Sequence, residues 1–240
     1  MGIAEALRAV RERIEKASLK AGRNPEEIKL IAVTKTVELD RILEVLSLGQ
    51  RTFGENRVQE AQKKVKSYEL RVTPPIPPLS RGGTGGVEWH LIGTLQKNKA
   101  RHAVQLFDLI HTIDSIDLAG EVNKQAEKIN KMQDVLVQVK LSEEETKHGI
   151  SEKDLPVLLG KIRGLNNLKL KGLMAMPPFF EDSEKSRPYF RRLREIRDEA
   201  EKNGFILPEL SMGMSNDFEV AIEEGATMVR VGTAIFANGS

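Results

Sequence analysis

The chain of 240 residues contains no cysteine. That absence removes disulfides, thiolate nucleophiles and zinc-ribbon spacings together, and it fits a reducing compartment. An excess of charge of one sign is also missing. Lys and Arg number 37 against 35 Asp and Glu, and the net charge of +2 is too small to argue for a nucleic-acid partner. No Walker, zinc or triad motif is present, and His102, His111 and His148 show no metal-ligand spacing with one another, so no metal is expected. A glycine-rich dinucleotide fingerprint is lacking after the first apolar run, where the sequence reads Thr34-Lys35-Thr36-Val37-Glu38; this weighs against an open doubly wound sheet. The opening residues Met1-Gly2-Ile3-Ala4-Glu5-Ala6 begin a charged amphipathic helix, without a long apolar core and without the hydroxyl residue of a myristoylation signal. A cytoplasmic protein with no membrane partner is the expectation.

What the sequence does have is a regular alternation of short apolar runs and amphipathic stretches. The pattern predicts an opening helix over residues 2–21, ended by Gly22 and the Asn24-Pro25 pair. Strands are predicted at 29–35, 51–53, 87–93, 109–113, 134–140, 168–176, 209–213 and 228–232. Helical spacing fills the gaps, as in Leu39, Ile42, Leu43 and Leu46, or Phe190, Leu193 and Ile196. Eight β/α units in a chain of this length match a single-domain (β/α)8 TIM barrel spanning residues 1–240, with an extra N-terminal helix. The continuous apolar character of the strands agrees, because barrel strands are buried on both faces. Residues 71–86, rich in proline and glycine, read as an exposed insertion at the N-terminal rim, opposite the face where barrels do chemistry.

Two features point to chemistry. Lys35 closes the run Leu30-Ile31-Ala32-Val33-Thr34-Lys35 and so puts a primary amine at the C-terminal end of a strand read as buried. Burial lowers the pKa of an amine and frees it to attack a carbonyl, although a lysine that merely marks a strand end and reaches to water is an equal alternative. The second feature is the pair of loops after strands seven and eight. Ser215-Asn216-Asp217 looks like a helix start, and Gly232-Thr233 stands at the matching end of the next strand, so the two suggest a shared anion pocket. Arg230, two residues before Gly232, shares its side of the strand and points into the barrel, toward a protein carboxylate or a ligand ring nitrogen. Asn56 and His90 end neighbouring strands, and each also has an ordinary explanation as a helix cap or a hydrogen-bonded core residue. The arginines at 187, 191, 192, 194 and 197 are interleaved with acids and read as a solvated helix face.

Taken together these segments resemble a known family. Ile31-Ala32-Val33-Thr34-Lys35-Thr36, Phe53-Gly54-Glu55-Asn56, Trp89-His90-Leu91-Ile92-Gly93, Gly172-Leu173-Met174-Ala175-Met176, Leu210-Ser211-Met212-Gly213-Met214-Ser215 and Arg230-Val231-Gly232-Thr233-Ala234 are similar, in order and spacing, to the pyridoxal phosphate homeostasis protein family (YggS/PROSC-like). The 71–86 insertion is a departure from it. The resemblance implies a barrel of the alanine racemase N-terminal type, with pyridoxal 5'-phosphate (PLP) carried covalently as a Schiff base on Lys35. It also implies that Ser211, Met212, Ser215, Gly232 and Thr233 surround the phosphate end, that Arg230 faces the pyridine nitrogen and that Asn56 lies by the ring. A cation beside that nitrogen opposes its protonation and weakens the ring as an electron sink. The implied role is PLP homeostasis: a monomer that buffers the cofactor and passes it to apo-PLP enzymes, with no catalytic residues assigned. A small PLP-dependent amino-acid racemase is the alternative, and a class I aldolase shares the lysine and the phosphate site.

Overall fold

In the computed structural model, which describes residues 2–71, 86–142 and 148–237, each apolar run forms a strand and the amphipathic stretches form helices around them. Strands β1 (Lys29–Val33), β2 (Thr52–Glu55), β3 (Glu88–Leu91), β4 (Leu109–Ile113), β5 (Gln133–Gln138), β6 (Leu168–Met174), β7 (Glu209–Met214) and β8 (Met228–Val231) close into one parallel barrel in sequence order. The ring is completed by β1 against β8, with Ile31 beside Arg230. Helices α1 (Ile3–Lys20), α2 (Leu39–Ser47), α3 (Val58–Arg71), α4 (Ala100–Leu106), α5 (Ile116–Lys128), α6 (Leu155–Arg163), α7 (Arg187–Lys202), α8 (Phe218–Glu223) and α9 (Thr233–Phe236) surround it. Residues 72–85 of the predicted insertion lie outside the described residues.

The extra helix α1 buries Ile3, Leu7, Val10, Ile14 and Ala17, a spacing of three and four that keeps one stripe inward. It ends as predicted, with Gly22 in the left-handed region (φ 67). The stripe joins α1 to the end of the barrel chain: Arg13 pairs with Glu219 at 2.6 Å and covers the Phe218 ring, and Lys20 pairs with Glu223 at 2.6 Å. Arg23 donates to the carbonyls of Ile222 and Ala226, at and just beyond the end of α8.

Two cores result. The larger lies between strands and helices and takes the outward residues of each strand. The smaller fills the barrel interior with Ile31, Leu109, Leu136, Met174 and Met228. Polar residues share that interior: His90, His111, Ser211 and Arg230 are all buried and hydrogen-bonded to one another.

The arginine-rich face of α7 differs from its sequence reading. Arg187, Arg191 and Arg194 all converge on Glu224, a nearly buried carboxylate, at 3.1, 3.1 and 3.2 Å. The three guanidiniums are therefore a clamp that ties α7 to the end of α8, not a purely solvated face. Arg192 keeps the expected character, with exposed pairs to Glu152, Glu195 and Glu199.

Candidate functional site at the C-terminal mouth

The β7 and β8 ends are shaped by one glycine. Gly213 has φ +90, and a Cβ there would sit 2.6 Å from Ala221 Cβ and 2.9 Å from Phe218 Cα. Its conformation accompanies a break in register, since Ser211 pairs with Met228 but Met214 with Arg230, three steps on β7 against two on β8. Such an extra residue redirects the chain beyond it. Here it brings Ser215 over the start of α9, where Ser215 Oγ accepts from the N–H groups of both Gly232 and Ala234 at 3.3 Å. The predicted meeting of the two loops is thus present: two backbone donors converge on one oxygen. Gly232 is confined by β1, since a Cβ there would meet Val33 Cβ at 3.1 Å and its carbonyl oxygen at 3.2 Å. Thr233 is exposed beside it.

Arg230 lies inside the barrel, as the two-residue step from Gly232 predicts. It donates from Nη1 to Ser211 Oγ at 2.6 Å and from Nη2 to the Ala175 carbonyl at 2.9 Å. Burial pulls its guanidinium down to about 10, with Asp217 acting in the opposite sense, and it stays cationic at neutral pH. Among the described residues its direct partners are both neutral. Ser211 and Met212 part company here. Ser211 faces the interior and sits beside the guanidinium, whereas the Met212 side chain packs in the outer core, so only its backbone is free to face the mouth.

Lys35 follows β1, the strand next to β8 in the same mouth, and one sequence expectation about it is corrected. Strand β1 ends at Val33, Thr34 is the last buried residue, and Lys35 itself is exposed. A tight turn explains the difference. The Val37 N–H donates to the Thr34 carbonyl at 3.0 Å, and Thr36 takes φ 60, a strained choice for a β-branched residue. The burden of burial falls one residue earlier. Thr34 Oγ1 donates to Glu55 Oε1 at 2.6 Å, and Lys64 Nζ from α3 reaches both that carboxylate, at 2.7 Å, and the Thr34 carbonyl. Glu55 is fully buried and its Oε2 has no hydrogen-bond partner among the described residues. The amine of Lys35 therefore stands on a pinned base but is itself in contact with solvent.

Asn56 follows β2 at this mouth and is half-buried. It is not the helix cap, because α3 begins at Val58 and the cap position falls to Arg57. Gly93 permits its position, since a Cβ there would overlap the Asn56 carbonyl. His90 does not reach the mouth. It lies deeper on the axis, with its ring nitrogen 3.1 Å from that of His111. Sequence reasoning left His111 aside, and its only signal was an apolar strand interrupted by one imidazole. Of the two tyrosines, Tyr68 is buried in the outer core and Tyr189 stacks on Phe180.

Comparison with known proteins places this geometry. The model of the alanine racemase N-terminal domain matches residues 6–238. The pyridoxal phosphate homeostasis protein of Aquifex aeolicus is 46% identical over 237 residues, 98% of each chain. That of Escherichia coli K12 is 41% identical over 241 residues, covering 98% of this chain and 95% of its own. Among solved structures, PipY of Synechococcus elongatus PCC7942 with PLP bound is 36% identical, with a TM-score of 0.81 over 98% of this chain and 99% of that one. An alanine racemase of Clostridium difficile 630, 16% identical with a TM-score of 0.69 over 56% of its chain, shares the fold. With matches running almost end to end, the chain belongs to the alanine racemase N-terminal domain family and, within it, to the pyridoxal phosphate homeostasis proteins.

Proposed function

We propose that this protein binds PLP at the C-terminal mouth, attached as a Schiff base to Lys35, and serves PLP homeostasis by buffering the cofactor and releasing it to apo-PLP enzymes. The observation that carries the proposal is the placing of three matched groups around one mouth: an exposed amine after β1, a buried cation on β8, and two backbone N–H groups that converge beside Ser215. The donor set fits the cofactor. N–H groups of Gly232 and Ala234 suit the phosphate, with Ser215 and Thr233 alongside. Arg230 suits the pyridine nitrogen, which accepts a hydrogen bond only while unprotonated. Ser211, held against Arg230, belongs with the ring end and not with the phosphate, and Asn56 flanks the ring.

When bound, PLP supplies a reactive aldehyde. The chain's residues hold it more than they use it. Lys35 provides the attacking amine, and its contact with water suits a bond that forms with loss of water and reverses by regaining it. Arg230 keeps the ring nitrogen unprotonated, which restrains carbanion chemistry. The test is reconstitution with PLP, borohydride reduction and peptide mapping. Pyridoxyl on the peptide containing Lys35 is expected; its absence there, with label elsewhere or nowhere, sinks the proposal.

A further inference from the structure

The barrel axis holds a continuous polar chain. It starts at Glu88, the first residue of β3 on the N-terminal rim, whose Oε2 is 3.6 Å from His90 Nε2 and 3.0 Å from Lys29 Nζ. His90 Nδ1 meets His111 Nε2 at 3.1 Å, His111 Nδ1 meets Ser211 Oγ at 2.9 Å, and Ser211 meets Arg230 at 2.6 Å. Both imidazoles are buried.

Donor and acceptor rules orient every link. A guanidinium only donates, so Ser211 Oγ accepts from Arg230. At the far end the His90 ring, with Lys29 behind it, holds the Glu88 carboxyl down to about 2 against the opposing pull of burial, so Glu88 is an anion and His90 presents Nε2–H to it. Burial first, then His90, Arg230 and Lys29, push His111 well below its ordinary value, so it is neutral and carries one proton. With the Nε2–H turned to the carboxylate, His90 offers its Nδ1 to His111 as an acceptor. His111 must then donate from Nε2 and accept at Nδ1, and the Ser211 hydroxyl must donate to it. The three hydrogen bonds run one way, from Arg230 to His90, whose Nε2–H faces the Glu88 carboxylate at 3.6 Å.

We propose that Glu88, His90 and His111 are positioning residues for Arg230: their one-directional donor chain fixes Ser211 as the acceptor of the guanidinium and links a buried cation at the mouth to a carboxylate at the opposite rim. This rests on the reading that Arg230 faces the PLP ring nitrogen. It also explains how Arg230 is tolerated with neutral direct partners among the described residues, because a chain of aligned dipoles places its negative ends toward the cation and ends facing an anion. The titratable and charged groups facing His90 are Glu88, Lys29, Asp108, Asp134 and His111; those facing His111 are His90, Lys29 and Arg230.

The test starts with 15N NMR of histidine-labelled protein without PLP. Both imidazoles are expected to carry a proton on Nε2, with Nδ1–H forms appearing in E88Q. After reconstitution, His111→Leu should weaken PLP binding about tenfold and shift the visible absorption of the bound cofactor, while E88Q should weaken it about threefold. His111→Asn, which keeps an acceptor toward Ser211, should recover most of the loss. An Nδ1–H tautomer of His111 in the wild type, or PLP affinity and spectrum unchanged in both His111→Leu and E88Q, would overturn the proposal. Should His111→Leu not fold, E88Q at the half-exposed rim carries the test alone. Failure of Lys35 to take up pyridoxyl would instead strike the functional reading, since the tautomers are measured without PLP.

Discussion

The two sides of the mouth are held in different ways. On the β7–β8 side the groups are bonded to one another: Arg230, buried, to Ser211 and Ala175, and the half-buried Ser215 to Gly232 and Ala234. On the β1 side the bonding stops one residue short, with Thr34 tied to Glu55 and Lys64, and Lys35 left exposed beyond it. The difference suits a carrier. Recognition of ring and phosphate needs fixed donors, whereas a bond that must be made and undone by water needs an amine within reach of water.

The contrast breaks most completely if Lys35 is replaced. Lys35→Ala should abolish the borohydride-trapped adduct and the absorption of the bound Schiff base, yet leave the β7–β8 side able to hold PLP noncovalently. Equilibrium dialysis checks this: weakened but measurable binding is expected, and full loss would mean that the β7–β8 side recognises little by itself.

Untying the base of Lys35 tests the other half. Lys64→Met removes the cation from a pair whose carboxylate, Glu55, is fully buried, and should cost about 3 kcal/mol of stability or more, read from denaturant unfolding. A cost below about 1 kcal/mol would show that Glu55 finds another partner. On the fixed side, Gly213→Ala combines a left-handed φ with contacts too close for a Cβ, and should cost about 2 kcal/mol and weaken PLP binding with it.

The two sides were unequally legible in the sequence. The eight strands follow from apolar runs, and strand periodicity correctly put Arg230 inside the barrel. Gly213 and Gly232 mark positions where a side chain does not fit, so the β7–β8 loops announced themselves. The β1 side did not. Nothing local predicts that Thr36 adopts a left-handed φ, a conformation usually marked by Gly or Asn, and so β1 read two residues too long, with a buried amine and one reaching to water left as equal alternatives for Lys35. The polar axis was equally hidden, because His90 and His111 stand 21 residues apart and meet through the pairing of β3 with β4. The clamp on Glu224 was missed for the same reason: its acid and its arginines belong to different helices.

The smallest expected effect concerns the rim end of that axis. A carboxylate with a folded value below its unfolded one stabilises the fold above the unfolded value and loses that contribution as pH falls through the folded one. For Glu88 the window runs from the ordinary 4.5 down to about 2. Wild type should therefore be slightly more stable than E88Q at neutral pH, with the gap constant down to about pH 5 and closing as pH approaches 2. The side chain is partly solvated, at 44% exposure, so the gap itself is modest. Its shape with pH is the informative part, because a rim carboxylate that merely faced water would give no gap to close, whereas one that anchors His90, and through it the fixed side of the mouth, must.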